Sequence, residues 1–357
     1  EPKPALATRW EATDSGKQYK FYLKSGLYWH DGKAFTAADV NYNIHGVDFE
    51  VLDDYTLRAV LKEAFASLPV LLSRPLFREN LTGLGPYKIE SIDLRGDTIK
   101  TLELSPLDDS FPKLVLHFYP TENVATTAFK LGEVAILEDF TSAADFRDWK
   151  NIKVEERIDH TRYVALFYNT KDQFLSERSH RQALSFAVPT IEEEVATGPI
   201  SPLSWAYSNK VRQYKFDLAA AKRLLGKDGI STQTASLTLS TFPNYLALAK
   251  RIAESWQTLG LSVNVKIENF VPPDYQVFLG SQEIPPDPDQ YAYWHSTQDT
   301  NITKLDNKRI DKLLEDGRRV QNKEERLKIY TDFQRYLAEE APATFLFYPK
   351  VYTLRRK

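Results

Sequence analysis

The chain has 357 residues, 42% of them hydrophobic and 27% charged, a composition that supports sizeable cores in roughly two to three domains and excludes wholesale disorder. Its 46 basic and 49 acidic residues give a formal net charge of −3, which excludes a global electrostatic bias toward nucleic acid or acidic membranes. The absence of Cys removes disulfides, thiolate zinc sites, iron–sulfur clusters and cysteine nucleophiles, and no apolar run approaches the roughly 18 residues of a spanning helix.

The first elements read as strand, turn, strand. Tyr19 to Leu23 alternates as a half-buried strand after the turn at Asp14-Ser15-Gly16. Leu27 to His30 leads into Asp31-Gly32, a hairpin-type turn pair, and Thr36 stands as the N-cap of a helix beginning at Ala37-Ala38-Asp39-Val40. Phe49 to Leu61 is a second β element that turns at Asp53-Asp54. Gly83, Gly85 and Pro86 mark a boundary, followed by strands at Tyr87–Ile89, Thr98–Leu104 and Leu114–Tyr119. Thr121 caps a helix over Asn123–Leu131 that Gly132 ends, Tyr163–Tyr168 is a strand, and Ser179–Val188 is a helix stopped by Pro189.

The clearest unit follows Pro199–Pro202. Asp217 caps a helix with Leu218, Ala221, Leu224 and Leu225 on one face. Leu237 and Leu239 alternate in a strand, and Leu248, Ile252, Trp256 and Leu259 have helical spacing up to Gly260. Leu261, Val263, Val265 and Ile267 alternate again, so the stretch predicts a βαβ crossover in a largely parallel α/β sheet. Helices over Ile310–Arg319 and Lys323–Glu339, then strands at Thr344–Tyr348 and Val351–Leu354, complete the chain.

None of the six histidines shows His-x-x-x-His or His-x-His spacing, so local metal binding has no support, and no cofactor is expected. Phosphate loops, dinucleotide fingerprints and nucleophile elbows are all absent from the sequence. Two carboxylates suffice for a glycosidase, so a carbohydrate-active hydrolase stays as an alternative. The most unusual stretch is Pro285-Pro286-Asp287-Pro288-Asp289 through Tyr291, Tyr293, Trp294 and Gln298, in a chain that is 13% aromatic. It reads equally as a rigid aromatic wall with polar tips or as a Pro-rich surface loop around a packed Trp.

Four segments in register resemble the family 5 extracellular solute-binding proteins, the dipeptide-, oligopeptide- and nickel-binding receptors of bacterial ABC importers. They are Leu6 to Glu11 with Tyr28-Trp29-His30-Asp31-Gly32 to Val40; Gly83-Leu84-Gly85-Pro86-Tyr87; Arg181-Gln182-Ala183-Leu184 to Ala187; and Asp287-Pro288-Asp289 with Asn307 to Leu314, the Glu325–Tyr330 helix and the Ala341-Pro342 exit. The resemblance implies an α/β, two-lobed periplasmic-binding-protein-like fold of class II, large type, with a small extra mostly-β domain. It places that extra domain at residues 1–82, a first lobe at 83–204 plus 343–357, and a second at 205–342.

The resemblance further implies an extracytoplasmic, lipid-anchored, monomeric receptor that catalyses nothing. It would capture a peptide or other small oligomeric ligand in an interlobe cleft by hinge closure and pass it to permease subunits. No nucleic acid is implied, and the membrane is met only through an N-terminal anchor outside this chain. An absent Met and a polar start at Glu1 fit a processed or trimmed front, and 44–48 and 104–113 read shorter than the family pattern. Expected ligand contacts are Glu283, Asp287, Tyr291, Tyr293, Trp294 and Gln298, with Gly85 and Tyr87 from the other lobe. Peptide-binding members place an Asp three residues before the Asp-Pro pair for the ligand's ammonium and a Trp three before that; here those positions are Ile284 and Ser281. Either Glu283 or Asp287 replaces that anchor, or the ligand is not a standard free peptide. An oligosaccharide or metal-chelate receptor on the same scaffold is the remaining alternative.

Overall fold

In the computed structural model, which describes residues 2–40, 42–226 and 236–357, the chain passes between two compact units after Arg157 and again after Lys350. Unit 1 is Glu1–Arg157 with Val351–Lys357, and unit 2 is Ile158–Lys350. The expected lobe limits at 204/205 and 342/343 fall inside unit 2. The strand Arg162–Tyr168 pairs there with both Val277–Glu283 and Ala343–Phe347, so 162–204 pack with the residues that follow them.

Unit 1 holds three small sheets. The first has β1 (Ala7–Thr13), β2 (Gln18–Leu23), β3 (Val47–Asp53) and β4 (Thr56–Leu61) in the antiparallel order β1-β2-β4-β3. Alternation sends Tyr19, Phe21, Leu57, Ala59 and Leu61 to one face, where they form a core with Leu68 of the short helix α1 (Leu68–Leu71). Thr36 does cap a turn, in a reciprocal box with Asp39, but the helix expected there is one 3-10 turn, Ala37–Asp39. Val40 returns to extended backbone at ψ 92°.

The second sheet is the ribbon β5 (Tyr87–Arg95), β6 (Thr98–Pro106) and β7 (Leu114–His117). The third joins β8 (Ile136–Phe140) and β9 (Ile152–Ile158) across β15 (Lys350–Arg356) and packs on α2 (Glu122–Leu131) through Phe129, Phe146 and Leu354. Thr121 caps α2 by accepting from the Val124 amide, and Gly132, at φ +84°, supplies the left-handed residue that ends it.

Unit 2 is built on one five-stranded sheet, ordered β12-β11-β13-β10-β14, from β10 (Arg162–Tyr168), β11 (Ser236–Thr241), β12 (Ser262–Ile267), β13 (Val277–Glu283) and β14 (Ala343–Phe347). The expected crossover is present, with β11 and β12 parallel around α5 (Leu246–Gln257). The sheet is mixed rather than largely parallel, because β10 runs antiparallel to both β13 and β14.

Helices cover both faces of this sheet. On one, α3 (Arg178–Phe186), α4 (Leu218–Gly226) and α5 pack Leu184, Leu225, Ile252 and Trp256 against Val164, Leu166, Leu239 and Leu279. On the other, α6 (Tyr291–Trp294), α7 (Lys308–Arg319) and α8 (Lys323–Glu340) pack Trp294, Ile310, Leu314, Tyr330 and Phe333 against Tyr163, Phe167 and Phe278. Asn307 and Asn322 cap α7 and α8. Gly317 in α7 lets the Tyr330 ring approach so closely that a Cβ there would sit 2.7 Å from it.

Candidate functional site

Strand alternation sorts the end of β13. Phe278 packs among the α7/α8-side residues and Leu279 on the α5 side. Continuing by twos, Gln282 and Ile284 fall on the α7/α8 side and Glu283 on the other. The contacts agree: Ile284 is buried in the α7/α8-side core, and the Gln282 side-chain oxygen accepts from the Tyr163 hydroxyl at 2.8 Å. Glu283 is exposed. A one-residue offset therefore separates its carboxylate from the aromatic residues of the same segment by the thickness of the sheet.

Those aromatics form a wall on the α7/α8 side. Tyr163, Trp294 and Tyr348 are each 1% exposed. Half-buried Trp205, Tyr207, Tyr291, Tyr293 and Phe345 pack against the same core. Phe345 meets Tyr163 edge-on with ring centres 5.0 Å apart and lies 6.0 Å from Trp294. The His160 ring meets Tyr348 edge-on at 5.0 Å. Burial drives the acidity: the Tyr163 phenol is held well above its usual pKa by desolvation first, with the nearby Tyr293 and Tyr348 adding to it. At neutral pH the Tyr163 phenol is therefore an uncharged hydrogen-bonding group. Tyr207 meets the Thr197 hydroxyl at 3.0 Å, whereas Tyr348 Oη and Trp294 Nε1 have no hydrogen-bond partner among the described residues.

The carboxylates of the same segment are engaged internally. Asp287 meets the Arg326 guanidinium at 2.7 Å, with both side chains nearly buried. The neighbouring Asp289 meets Arg318 at 2.8 Å. Its carboxyl pKa is raised by burial, which outweighs the opposing pull of Arg318. The two ion pairs tie the Asp-Pro-Asp run to α7 and α8, and Arg318 also covers the Tyr291 ring, which stacks on His295.

The remaining expected residues lie elsewhere. Gln298 lines a cavity of roughly 510 Å³ with Lys171, Pro272, Pro273, Tyr275 and Lys304. Lys171 follows the end of β10, and Tyr275 precedes the start of β13, where Tyr168 pairs with Val277. This cavity is thus at the opposite end of the sheet from Gln282. Gly85 and Tyr87 belong to unit 1, where the Gly85 carbonyl lies 2.9 Å from His30 Nε2 and Tyr87 donates to the Pro112 carbonyl. Of the eight residues, Tyr291, Tyr293 and Trp294 are brought together.

Sequence reading missed Tyr163, Trp205, Tyr207, Gln282 and Tyr348. They come from four separate segments, and only Tyr163 and Tyr348 stood in strands that periodicity detected. The passage between units is pinned beside them: the Asp159 amide donates to the Pro349 carbonyl at 2.8 Å, so the two segments adjoining the unit boundary lie side by side. Among the described residues, no group of three or more His, Asp or Glu side chains is arranged to hold a metal ion. No helix among them is long and apolar enough to cross a membrane.

The unit 2 sheet is mixed, contains a βαβ crossover, has helices on both faces, and bears an aromatic wall whose neighbouring Asp287 and Asp289 are held by Arg326 and Arg318. The model of the bacterial extracellular solute-binding proteins, family 5, matches residues 1–303, and the chain belongs to that family. It is a substrate-binding protein of the ABC-importer class and not an enzyme, so the hydrolase alternative falls. Among relatives, it is 27% identical to the oligopeptide-binding protein AppA of Bacillus subtilis, over 97% of this chain and 78% of that protein. Among solved structures, NikZ from Campylobacter jejuni, in complex with Ni(L-His), matches with a TM-score of 0.84 at 24% identity, covering 99% of this chain and 86% of that one. CtaP from Listeria monocytogenes matches at 0.85 and 22%, with the same coverage. The periplasmic-binding-protein-like α/β fold expected from the sequence is the fold these structures share with it.

Proposed function

We propose that this protein captures peptides outside the cytoplasm and delivers them unaltered to the permease of an ABC importer. The observation that carries this reading is the aromatic wall on the α7/α8 side of the unit 2 sheet, where half-buried Trp205, Tyr207, Tyr291 and Tyr293 edge the buried rings of Tyr163, Trp294 and Tyr348. Such a surface suits a peptide, whose main chain asks for hydrogen bonds and whose side chains ask for contact area. The oligopeptide-binding name of the Bacillus subtilis relative supports the same reading.

The segments joined by the Asp159–Pro349 hydrogen bond act in this proposal as the hinge that couples binding to closure. Anchoring by a lipid at the N-terminus and action as a monomer complete it. Because contact with aromatic rings and hydrogen bonds to a peptide main chain discriminate weakly between side chains, the receptor in this proposal takes many sequences. Titration calorimetry with a random tetrapeptide library tests the ligand class. Heat of binding and a rise in Tm are expected, and absence of both refutes the peptide reading.

A further inference from the structure

The geometry points to a second binding site in unit 2, at the end of the sheet away from Gln282: the cavity of roughly 510 Å³ beside Tyr275 takes a small zwitterion with an apolar side chain, of the free amino-acid class. This site is separate from the peptide reading and does not depend on it.

The cavity is enclosed by the residues that leave β10, those that lead into β13, and the loop that follows α6. These segments are stitched to one another by the protein's own bonds. The Asn169 side-chain amide donates to the Tyr275 carbonyl at 2.9 Å, the Tyr275 hydroxyl to the Ile302 carbonyl at 2.5 Å, and the Thr170 amide to the Thr303 carbonyl at 2.9 Å. Buried Asn301 closes the loop on itself, donating to the Leu305 carbonyl at 2.9 Å and accepting from the Thr303 hydroxyl at 2.8 Å. A preformed concavity of this size has little ordering left to do on binding, and it falls in the range that small-molecule sites occupy. Among its lining residues Pro272, Tyr275 and Asn301 are buried, whereas Lys171, Pro273 and Asp299 are exposed. The cavity thus has a closed base and a rim that solvent reaches.

Charge and surface together select the ligand class. Lys171 and Asp299 both line the cavity, and neither forms an ion pair among the described residues. Lys304, also in the lining, is 3.7 Å from Asp274, whose side chain is 96% exposed, so water competes for that pair. Charges of both signs are therefore open to a ligand: the two lysines match a carboxylate, and Asp299 matches an ammonium. Val271, Pro272 and Ile302 add apolar surface for an aliphatic side chain. An amino acid such as leucine offers all three groups.

Ligand-detected NMR on the purified full chain tests this with leucine, with isocaproate, which lacks the ammonium, and with isoamylamine, which lacks the carboxylate. Leucine is expected to bind, and each analogue to bind about fivefold more weakly. Lys171→Glu changes an exposed side chain outside the aromatic wall; it is expected to weaken leucine by a similar factor and to leave tetrapeptide binding unchanged. Tyr293→Ala, in the wall, is expected to leave leucine binding as it is. Absence of leucine binding, or its loss in Tyr293→Ala with retention in Lys171→Glu, overturns the second site. Either analogue binding as tightly as leucine overturns the zwitterion class. None of these results bears on the peptide reading, which stands or falls by the tetrapeptide titration.

Discussion

The β5–β7 ribbon of unit 1 and the five-stranded sheet of unit 2 use the same strand chemistry with opposite results. In the ribbon, Ile92, Leu94, Val115 and Leu116 are all at least 39% exposed, and no ribbon residue belongs to any of the four buried hydrophobic clusters. In unit 2, Val164, Leu166, Leu239 and Leu279 are fully buried beneath helices. A strand's apolar residues stabilise it only when another layer removes them from water, at about 25 cal/mol per Å². The lesson is that position in a layered stack, and not strand composition, decides which sheet can support a binding wall.

Four changes break or sharpen that contrast. Trp256→Ala removes a fully buried ring and the donor to the Leu184 carbonyl, and is expected to cost about 4 kcal/mol, read as a lowered unit 2 transition in calorimetry. Arg326→Ala leaves Asp287 buried without the Arg326 guanidinium and is expected to cost about 3 kcal/mol in the same transition; a null result there contradicts that pairing.

Alkali acts on unit 2 through its buried phenols. Burial pushes Tyr168 up to about 12, against the pull of its bonds to the Thr344 and Ser185 hydroxyls, and pushes Tyr214 to about 12 as well. These phenols stay protonated in the folded chain at pH values where the unfolded chain has lost the proton. Stability is therefore lost as pH rises from 10 toward 12. Unfolding midpoints against pH check this, and Tyr168→Phe is expected to flatten the profile. The smallest effect belongs to the ribbon: Leu94→Ala is expected to change stability by less than about 0.5 kcal/mol. Ribbon amides are expected to exchange with solvent well before those of β10 and β13 in hydrogen-exchange mass spectrometry.

Much of the architecture was legible where local chemistry governs. Thr121 and Gly132 bounded α2, Asp217 accepts from the Ala220 amide at the start of α4, and the alternation of Leu261 to Ile267 marked the strand that pairs parallel with β11. The helix expected at Ala37 stopped after one turn because a capping box closes a turn without supplying a face to bury. Strands β8, β9 and β13 went unread. Polar edges break the alternation of β8 and β9, while β13 runs Val277-Phe278-Leu279-Gly280, apolar on both faces as a central strand must be.

The candidate site divides along the same line. The fold family was legible only as a resemblance carried by four motifs in register; by itself the sequence determined the helix caps, the βαβ unit and the aromatic character of residues 291–294, because these depend on neighbours a few residues apart. Only the tertiary structure decided that Asp287 and Asp289 are held by Arg326 and Arg318, that Glu283 lies across the sheet from Gln282, and that Tyr163 and Tyr348 join Trp294. Those outcomes depend on which cation reaches which carboxylate across helices and on which face a residue takes in the sheet, and such long-range pairings leave no periodic trace along the chain.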